Sequence, residues 1–237
     1  MSLYPHDIIN GIFGIIALLI SFLVSIRMIS KGFEYRKRVF VLVGIAGFIV
    51  SVPWWGSIIS FVLEISSGIV LTIEIQNLIY FPLIPVGMFA WLVAFTDLVF
   101  KKRQKTIIVL FIIYGIIYEI VFFMVYTFDP SLEVTFYGMK SRVIPSAFLV
   151  SFLIIIWISV ALFTRESIKA DDPEIQMKGK LLVVAILLYS VAALLETIVL
   201  IFPIPIIFQI IGRTFLIVSA AIFFWGFFLP EWIKKRL

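Results

Sequence analysis

Long apolar runs separated by short polar segments make up most of this chain. The runs are continuous, without the alternating pattern of a β-barrel, and an apolar helix of about 20 residues crosses the roughly 30 Å hydrocarbon core of a bilayer. The pattern predicts an all-α membrane protein, a seven-transmembrane-helix bundle that forms a single domain over residues 1–237. The predicted spans are Ile8–Met28, Val39–Leu63, Ile75–Phe100, Thr106–Phe128, Val143–Thr164, Gly179–Phe202 and Pro205–Leu229.

The composition supports the same class. Hydrophobic residues make up 63% of the chain and charged residues 14%, with a mean hydropathy of +1.20. A soluble domain is closer to half apolar and one quarter charged. We therefore expect a multi-pass integral protein of the cell membrane, with the lipid bilayer as its main partner and no nucleic acid among its partners.

The distribution of Lys and Arg predicts the orientation. Sixteen of the 19 basic residues fall in the 1–2, 3–4 and 5–6 connections and the C-terminal tail, two fall on the other side, and Arg213 lies within a span. Because basic residues concentrate in cytoplasmic loops, the N-terminus is predicted outside and the C-terminus in the cytoplasm. Cytoplasmic basic residues are the predicted contacts for a partner protein or lipid: Arg36, Lys37, Arg38, Lys101, Lys102 and Arg103.

Two opposite charges lie within consecutive predicted spans. Glu196 is six residues before the end of helix 6 at Phe202, and Arg213 is eight residues after the start of helix 7 at Pro205. At 1.5 Å per residue, both lie roughly 9 to 12 Å below the outer surface. Charges in hydrocarbon are costly, so we expect a Glu196–Arg213 ion pair that faces the bundle interior. This pair is interpreted either as a structural link between helices or as part of a ligand or switch site, with ion conduction as a further alternative.

A third charge, Glu119 of helix 4, is predicted at a similar depth, which makes it a candidate proton-sensitive group. Other polar or aromatic residues in the outer half would complete a polar pocket: Gln209, Tyr118, Trp54, Trp55 and Tyr80. The tryptophans also suit simple packing or a position at the membrane interface. Asp97, at the opposite membrane border, is expected to pair with Lys101 on the next helical turn.

Prolines interrupt several predicted helices. Pro53, Pro82, Pro85, Pro203 and Pro205 predict kinks or unwound turns in helices 2, 3 and 7, most of them in the outer half. We expect the bundle to open there. In the 5–6 connection, Asp172 followed by Pro173 predicts the N-terminus of a helix that begins before the membrane.

Several kinds of chemistry have no residues to support them. The only histidine is His6 and cysteine is absent, which excludes thiolate metal sites, histidine clusters and cysteine nucleophiles. No predicted span has a lysine in its interior, so a retinal Schiff base is not expected. We predict no cofactor, no metal and no enzymatic activity.

Three segments resemble a known family: "FPLIPVGMFAWLVAFTDLVF", which contains Pro85, Trp91, Leu92 and Phe95, "DPEIQMKGKLL" and "GFFLPEWIKK". They are similar to the seven-helix sensor regions at the N-terminus of some archaeal and bacterial histidine kinases, and to related free-standing archaeal seven-helix proteins. The resemblance implies sensing in the bundle and signalling through its cytoplasmic ends. No kinase domain follows in this chain, so we expect either that the output comes from a separate partner or that the protein is not a sensor.

The charges, the prolines and the resemblance together predict a sensor or receptor-like protein. A ligand or protonation change in the outer-half pocket would move the proline-weakened helices and alter the cytoplasmic loops. The alternatives are a small transporter or proton-coupled channel subunit, and a structural subunit of a membrane complex. Small-residue stripes facing lipid, with Gly11, Gly14, Gly44 and Gly47 as candidates, would indicate the structural subunit. The ligand, the partner and the oligomeric state are left open.

Overall fold

The structure is a computed structural model that describes the backbone of residues 5–128, 133–136, 139–201 and 207–237. Within these ranges, side chains are described except at residues 5–7, 53, 73–74, 77, 80, 125–128, 133–136, 139–149, 196–201 and 209.

Helices account for nearly all of the described chain. In order they are α1 (Pro5–Glu34), α2 (Arg38–Val50), α3 (Trp55–Ser67), α4 (Ile73–Tyr80), α5 (Ile84–Leu98), α6 (Gln104–Phe128), α7 (Val143–Ile168), α8 (Pro173–Ile201), α9 (Ile207–Phe227) and α10 (Glu231–Lys234). A small antiparallel hairpin, β1 (Glu133–Phe136) and β2 (Met139–Arg142), connects α6 to α7. It lies in a connection for which the sequence analysis predicted no element.

Two of the predicted spans are broken helices. The second predicted span consists of α2 and α3, which are separated by a 3-10 turn at Val52–Trp54 and bent by 56°. The third consists of α4 and α5, separated by a 3-10 turn at Phe81–Leu83. Proline has no backbone N–H and cannot continue the α-helical hydrogen-bond ladder, so the breaks at Pro53 and Pro82 confirm the kinks predicted there. Pro203 and Pro205 lie outside the described residues.

The helices fit a multi-pass membrane bundle. Within the described residues, six helices are long and apolar enough to cross a bilayer, and the bent α2–α3 pair raises the number to as many as seven. α1 extends to Glu34, beyond the predicted end of the first span at Met28, because its basic last turn continues the helix past the apolar run. α8 begins at Pro173, and the backbone N–H of Glu174 donates to Asp172 Oδ1 at 2.8 Å, which confirms the predicted cap.

Six helices form a closed ring. In order around the ring, each helix packs against the next: α1, α2, α5, α7, α8, α9 and again α1. α6 lies outside the ring, against α5 and α7, and α3 and α4 form a hairpin at one end. We call this the broken end. The other end, which carries the 35–37, 99–103 and 169–172 connections and α10, is called the basic end.

The basic end contains an interhelical ion pair that differs from the one predicted. Asp97 of α5 accepts hydrogen bonds from Arg38 of α2, with Nε–Oδ2 at 2.7 Å and a second contact from NH2 to Oδ1 at 2.5 Å. Gln104 of α6 also donates to Asp97, at 2.8 Å. The prediction of a pair with Lys101 was therefore wrong: a helix-spacing rule sees only neighbours on one helix, whereas α2 places Arg38 beside Asp97.

Glycines allow α1 and α2 to approach closely. A Cβ atom at Gly44 would lie 2.6 Å from Ile29 Cγ1 and 2.8 Å from the carbonyl oxygen of Ser25, both on α1. A Cβ atom at Gly11 would contact the Phe61 ring, one at Gly14 would contact Ile58, and one at Gly47 would contact Ser25. These glycines face neighbouring helices inside the bundle. They therefore do not form the lipid-facing stripe that would indicate a structural subunit.

Candidate ligand-binding site

A cavity of about 140 Å³ lies at the centre of the helix ring. All six ring helices contribute to its lining, each with one face. On α1 the lining residues repeat every three or four positions, as a single helical face requires: Gly14, Ala17, Leu18, Ser21, Val24, Ser25 and Met28. An apolar cavity of this size is large enough for a small aromatic molecule.

The cavity has one polar end. Arg213 of α9 lines it and is only 4% exposed, and its NH1 atom lies 3.4 Å from the position that a Cβ would take at Gly14 of α1. The rings of Trp54 and Tyr189, both lining residues, meet edge to face with centroids 6.0 Å apart. Ser51, in the break after α2, also lines this region. A guanidinium, a phenol and an indole thus supply hydrogen-bond donors at the broken end.

The other end of the cavity is apolar. Met28, Val43 and Phe223 line it, and Met28 and Val43 are at most 2% exposed. Trp91 lies against Phe223 and donates a hydrogen bond from Nε1 to Ser159 Oγ at 2.7 Å, which joins α5 to α7. From Arg213 to Phe223 is ten residues of helix, or about 15 Å. The lining therefore changes from polar to apolar along the bundle axis.

Of the predicted site residues, Arg213 and Trp54 line the cavity. Trp55 is placed differently: its ring packs edge to face against Phe22 and Phe48, with centroids 5.3 and 5.0 Å away, and Nε1 donates to Ser51 Oγ at 3.1 Å. Trp55 therefore supports the wall of the cavity at the break between α2 and α3.

Tyr118 and Glu119 lie on α6, outside the ring. Tyr118 is 1% exposed, donates to the carbonyl oxygen of Phe81 at 3.2 Å and packs in an aromatic cluster with Phe122 and Phe152. Glu119 is half-buried, and its buried Oε2 atom has no hydrogen-bond partner among the described residues. The structure does not bring these two residues to the Arg213 end of the cavity.

The remaining predicted pocket residues have side chains outside the described set: Glu196 near the end of α8, Gln209 in α9 and Tyr80 at the end of α4. The Glu196–Arg213 ion pair consequently stays a prediction. The backbone places Glu196 and Arg213 on α8 and α9, which pack against each other.

The predicted partner-contact residues lie at the basic end. Arg36, with a positive φ of 52°, and Lys37 form the exposed turn between α1 and α2. Lys101, Lys102 and Arg103 form an exposed 3-10 turn before α6. Arg38 is held by Asp97.

The pattern of charges in the sequence does not predict most of the cavity lining, because nearly all of the lining residues are small or apolar. Gly14, Ala17, Ser21 and Ser25 recur at one helical period and mark the cavity face of α1. Arg213, Leu216, Ala220 and Phe223 do the same on α9. A search for small residues at this spacing within apolar spans would have found the cavity face of α1.

The ring, the central cavity and the apolar exterior define a helical-bundle membrane protein with an internal pocket. No protein-family model, curated protein or solved structure matches the chain.

Proposed function

We propose that this chain is a seven-helix sensor or receptor-like membrane protein that binds a small lipid-soluble molecule in the central cavity. The observation that carries the proposal is the cavity itself, which is enclosed by six helices and has a buried guanidinium at one end. A molecule with one polar group and an apolar body would match this lining, with its polar group near Arg213 and Tyr189.

The position of the cavity supports the proposal that binding is coupled to movement. Ser51 and Trp54 belong to the break between α2 and α3, and Ile84 and Gly87 follow the break between α4 and α5. A ligand that contacts these residues would bind differently to bent and straightened forms of the two spans. Such differential binding is the physical requirement for a ligand to shift a conformational equilibrium.

The cavity lining favours a sensor over a transporter or proton-coupled channel. Toward the basic end its lining includes the apolar side chains of Met28, Val43 and Phe223. These side chains offer neither the polar groups that replace the hydration shell of an ion nor a chain of proton acceptors. A ligand can enter and leave at one end of such a cavity without crossing the bundle.

The proposed direction of signalling follows from the distribution of charge. With the basic end in the cytoplasm, as basic loops favour, the cavity would sense from the outer half and the exposed basic turns would contact a separate output partner. This arrangement agrees with the resemblance to seven-helix sensor regions of histidine kinases. Protonation of Glu119 on α6 is a further candidate signal for the same bundle.

The binding half of the proposal is tested by extraction. Protein purified with its bound molecules is extracted with organic solvent, and the extract is analysed by mass spectrometry. Ala46 lines the cavity and is 1% exposed, so Ala46→Phe should fill the space and reduce the released compound at least tenfold. Ala161→Phe places the same ring at an exposed position of α7. This variant should release as much compound as the unsubstituted protein, which we call the parent. Equal release from all three proteins would contradict the proposal.

The sensing half requires movement. Nitroxide labels at Ile59 of α3 and Ile116 of α6, both exposed, would report the distance between the bent segment and a helix outside the ring. Returning the extracted compound to stripped protein should shift this distance in the parent and in Ala161→Phe but not in Ala46→Phe. Binding without any change in distance would argue for a binding protein that does not signal.

A further inference from the structure

A second concave surface lies at the basic end, separate from the central cavity. It is a groove of about 700 Å³ between α1, the start of α2, α8, the end of α9 and α10. We call it the basic groove. Phe40, Phe227 and Phe228 contribute aromatic rings to its lining, and the Phe40 and Phe228 ring centroids are 4.9 Å apart. The groove is lined by more cations than acids, namely Arg27, Lys31, Lys37, Lys178 and Lys234 against Glu174 and Glu231.

Internal ion pairs use only part of this charge. Glu174 holds Lys178 at 2.7 Å, and Glu231 lies 3.3 Å from Lys234. Lys31 is paired with Glu34 at 2.8 Å. Among the described residues, neither Arg27 nor Lys37 has an ion pair or a side-chain hydrogen bond. The groove therefore keeps two exposed cations that can contact an anion.

The surface of α1 next to Arg27 is apolar and exposed. Leu23 and Ile26, on the same part of α1, are 66% and 55% exposed, as expected for side chains that contact acyl chains. On the other flank, Trp232 of α10 is 55% exposed and contacts the Trp225 ring, an arrangement typical of the membrane interface. A cationic groove thus lies next to an exposed apolar surface. A phospholipid would match both, with its anionic headgroup in the groove and its acyl chains against the apolar surface.

We propose that the basic groove binds the phosphate headgroup of an anionic membrane lipid. Arg27 and Lys37 contact the phosphate, and the acyl chains lie along Leu23 and Ile26 of α1. Basic pockets between helices at a membrane surface recognise lipid headgroups in this way, with a contribution from each cation. The groove shares no lining residue with the central cavity, so this inference can be tested independently of the proposed sensor function.

The test is a lipid titration of the full chain in detergent, followed by native mass spectrometry. The parent should bind phosphatidylglycerol more tightly than phosphatidylcholine. Arg27→Gln combined with Lys37→Gln should weaken phosphatidylglycerol binding about 30-fold, the combined contribution of two cations near a membrane surface. Phosphatidylcholine carries the same phosphate together with a choline cation that offsets its charge, so its weaker binding should fall by a smaller factor than that of phosphatidylglycerol.

The matched control is Lys102→Gln combined with Arg103→Gln. It also removes one lysine and one arginine from the basic end, but from the turn before α6, which does not line the groove. Because exposed charges more than about 10 Å apart are largely screened, this pair should change phosphatidylglycerol binding less than about threefold. Exchanging the two groove residues conservatively, as Arg27→Lys with Lys37→Arg, should preserve binding and show that the sites tolerate substitution.

Three results would overturn the inference. Equal loss in the groove and control variants would mean that only the general charge of the basic end attracts lipid. Equal affinity of the parent for phosphatidylglycerol and phosphatidylcholine would remove the headgroup preference. Displacement of bound phosphatidylglycerol by soluble glycerol phosphate at similar concentration would show that the groove takes free phosphate and does not use the acyl chains.

Discussion

The two ends of the bundle are built differently. At the basic end, α1 and α8 extend beyond their apolar runs, the Arg38–Asp97 pair joins α2 to α5, and the rings of Tyr35, Phe40 and Phe228 pack together. At the broken end, 3-10 turns interrupt two spans and α3 leaves the axis of α2 at 56°. Within the described residues, one end is joined by side-chain contacts between helices and the other is divided by backbone breaks.

This difference indicates where the molecule can deform at low energetic cost. A continuous helix with interhelical hydrogen bonds resists bending, whereas a break concentrates backbone change in a few residues. The polar end of the cavity lies beside these breaks. A molecule bound in the candidate site would lie next to the segments whose deformation costs the least free energy. The basic end would move as a unit. The following substitutions test that contrast.

The largest effect is expected where α1 and α2 touch. Gly44→Ala would place a methyl group 2.8 Å from the Ser25 carbonyl oxygen, and we expect it to lower the free energy of unfolding by about 3 kcal/mol. Gly47→Ala, nearly one turn later and beside the cavity, meets only the Ser25 hydroxyl at 3.2 Å and should cost less than about 1 kcal/mol. Denaturant titration in mixed micelles measures both. Similar costs would show that the tight contact between α1 and α2 is not confined to Gly44.

The next effect concerns the ion pair. Asp97→Ala removes the acceptor shared by Arg38 and Gln104, and the loss of charge-assisted hydrogen bonds should cost about 2 kcal/mol. Glu166→Ala breaks an exposed pair with Lys169, both side chains being 57% exposed, and should leave stability unchanged. The same titration compares the two variants. If Asp97→Ala were as stable as Glu166→Ala, the ion pair would not hold the basic end together.

A smaller effect is expected at the break. Ser51→Ala removes the hydroxyl that donates to Phe48 O at 2.7 Å and accepts from Trp55 Nε1, and should cost about 1 kcal/mol. Ser66→Ala removes an exposed hydroxyl of α3 that bonds only within its own helix, and should have no measurable effect. A cost for Ser51→Ala above that for Asp97→Ala would reverse the contrast between the ends.

The smallest effect is expected at Glu119. Because its Oε2 atom has no hydrogen-bond partner among the described residues, Glu119→Gln should change the free energy of unfolding by less than about 0.5 kcal/mol. Gln209→Glu, the reverse exchange at the same end of the bundle, provides a comparison for the cost of adding a carboxylate. A large loss for Glu119→Gln would identify the carboxylate as a structural group and remove it as a candidate proton sensor.

Local sequence signals predicted the features that depend on local chemistry. The apolar runs located the helices, Pro53 and Pro82 located the breaks, and Asp172 with Pro173 located the start of α8. Each of these depends on residues a few positions apart. Helix extent was less predictable: α1 continues through a polar last turn that hydropathy alone assigns to a loop.

Features that depend on which helices are neighbours could not be predicted from local sequence patterns. Arg38 and Asp97 are 59 residues apart, and no pattern within either helix pairs them. Tyr118 was grouped with the pocket because of its depth, yet the place of α6 outside the ring directs it toward Phe81 and Phe152. Depth along the membrane normal can be calculated from sequence, but rotation about the helix axis and position in the ring cannot.

The bend between α2 and α3 has a consequence for membrane thickness. α2 has 13 residues and rises about 20 Å, and α3, also 13 residues long but tilted by 56°, adds about 11 Å along the same axis. The sum is close to the roughly 30 Å hydrocarbon core, whereas a straightened pair would be about 9 Å longer. Hydrophobic mismatch between this span and the bilayer would therefore act on the bend between α2 and α3. A thicker bilayer would favour the straightened form.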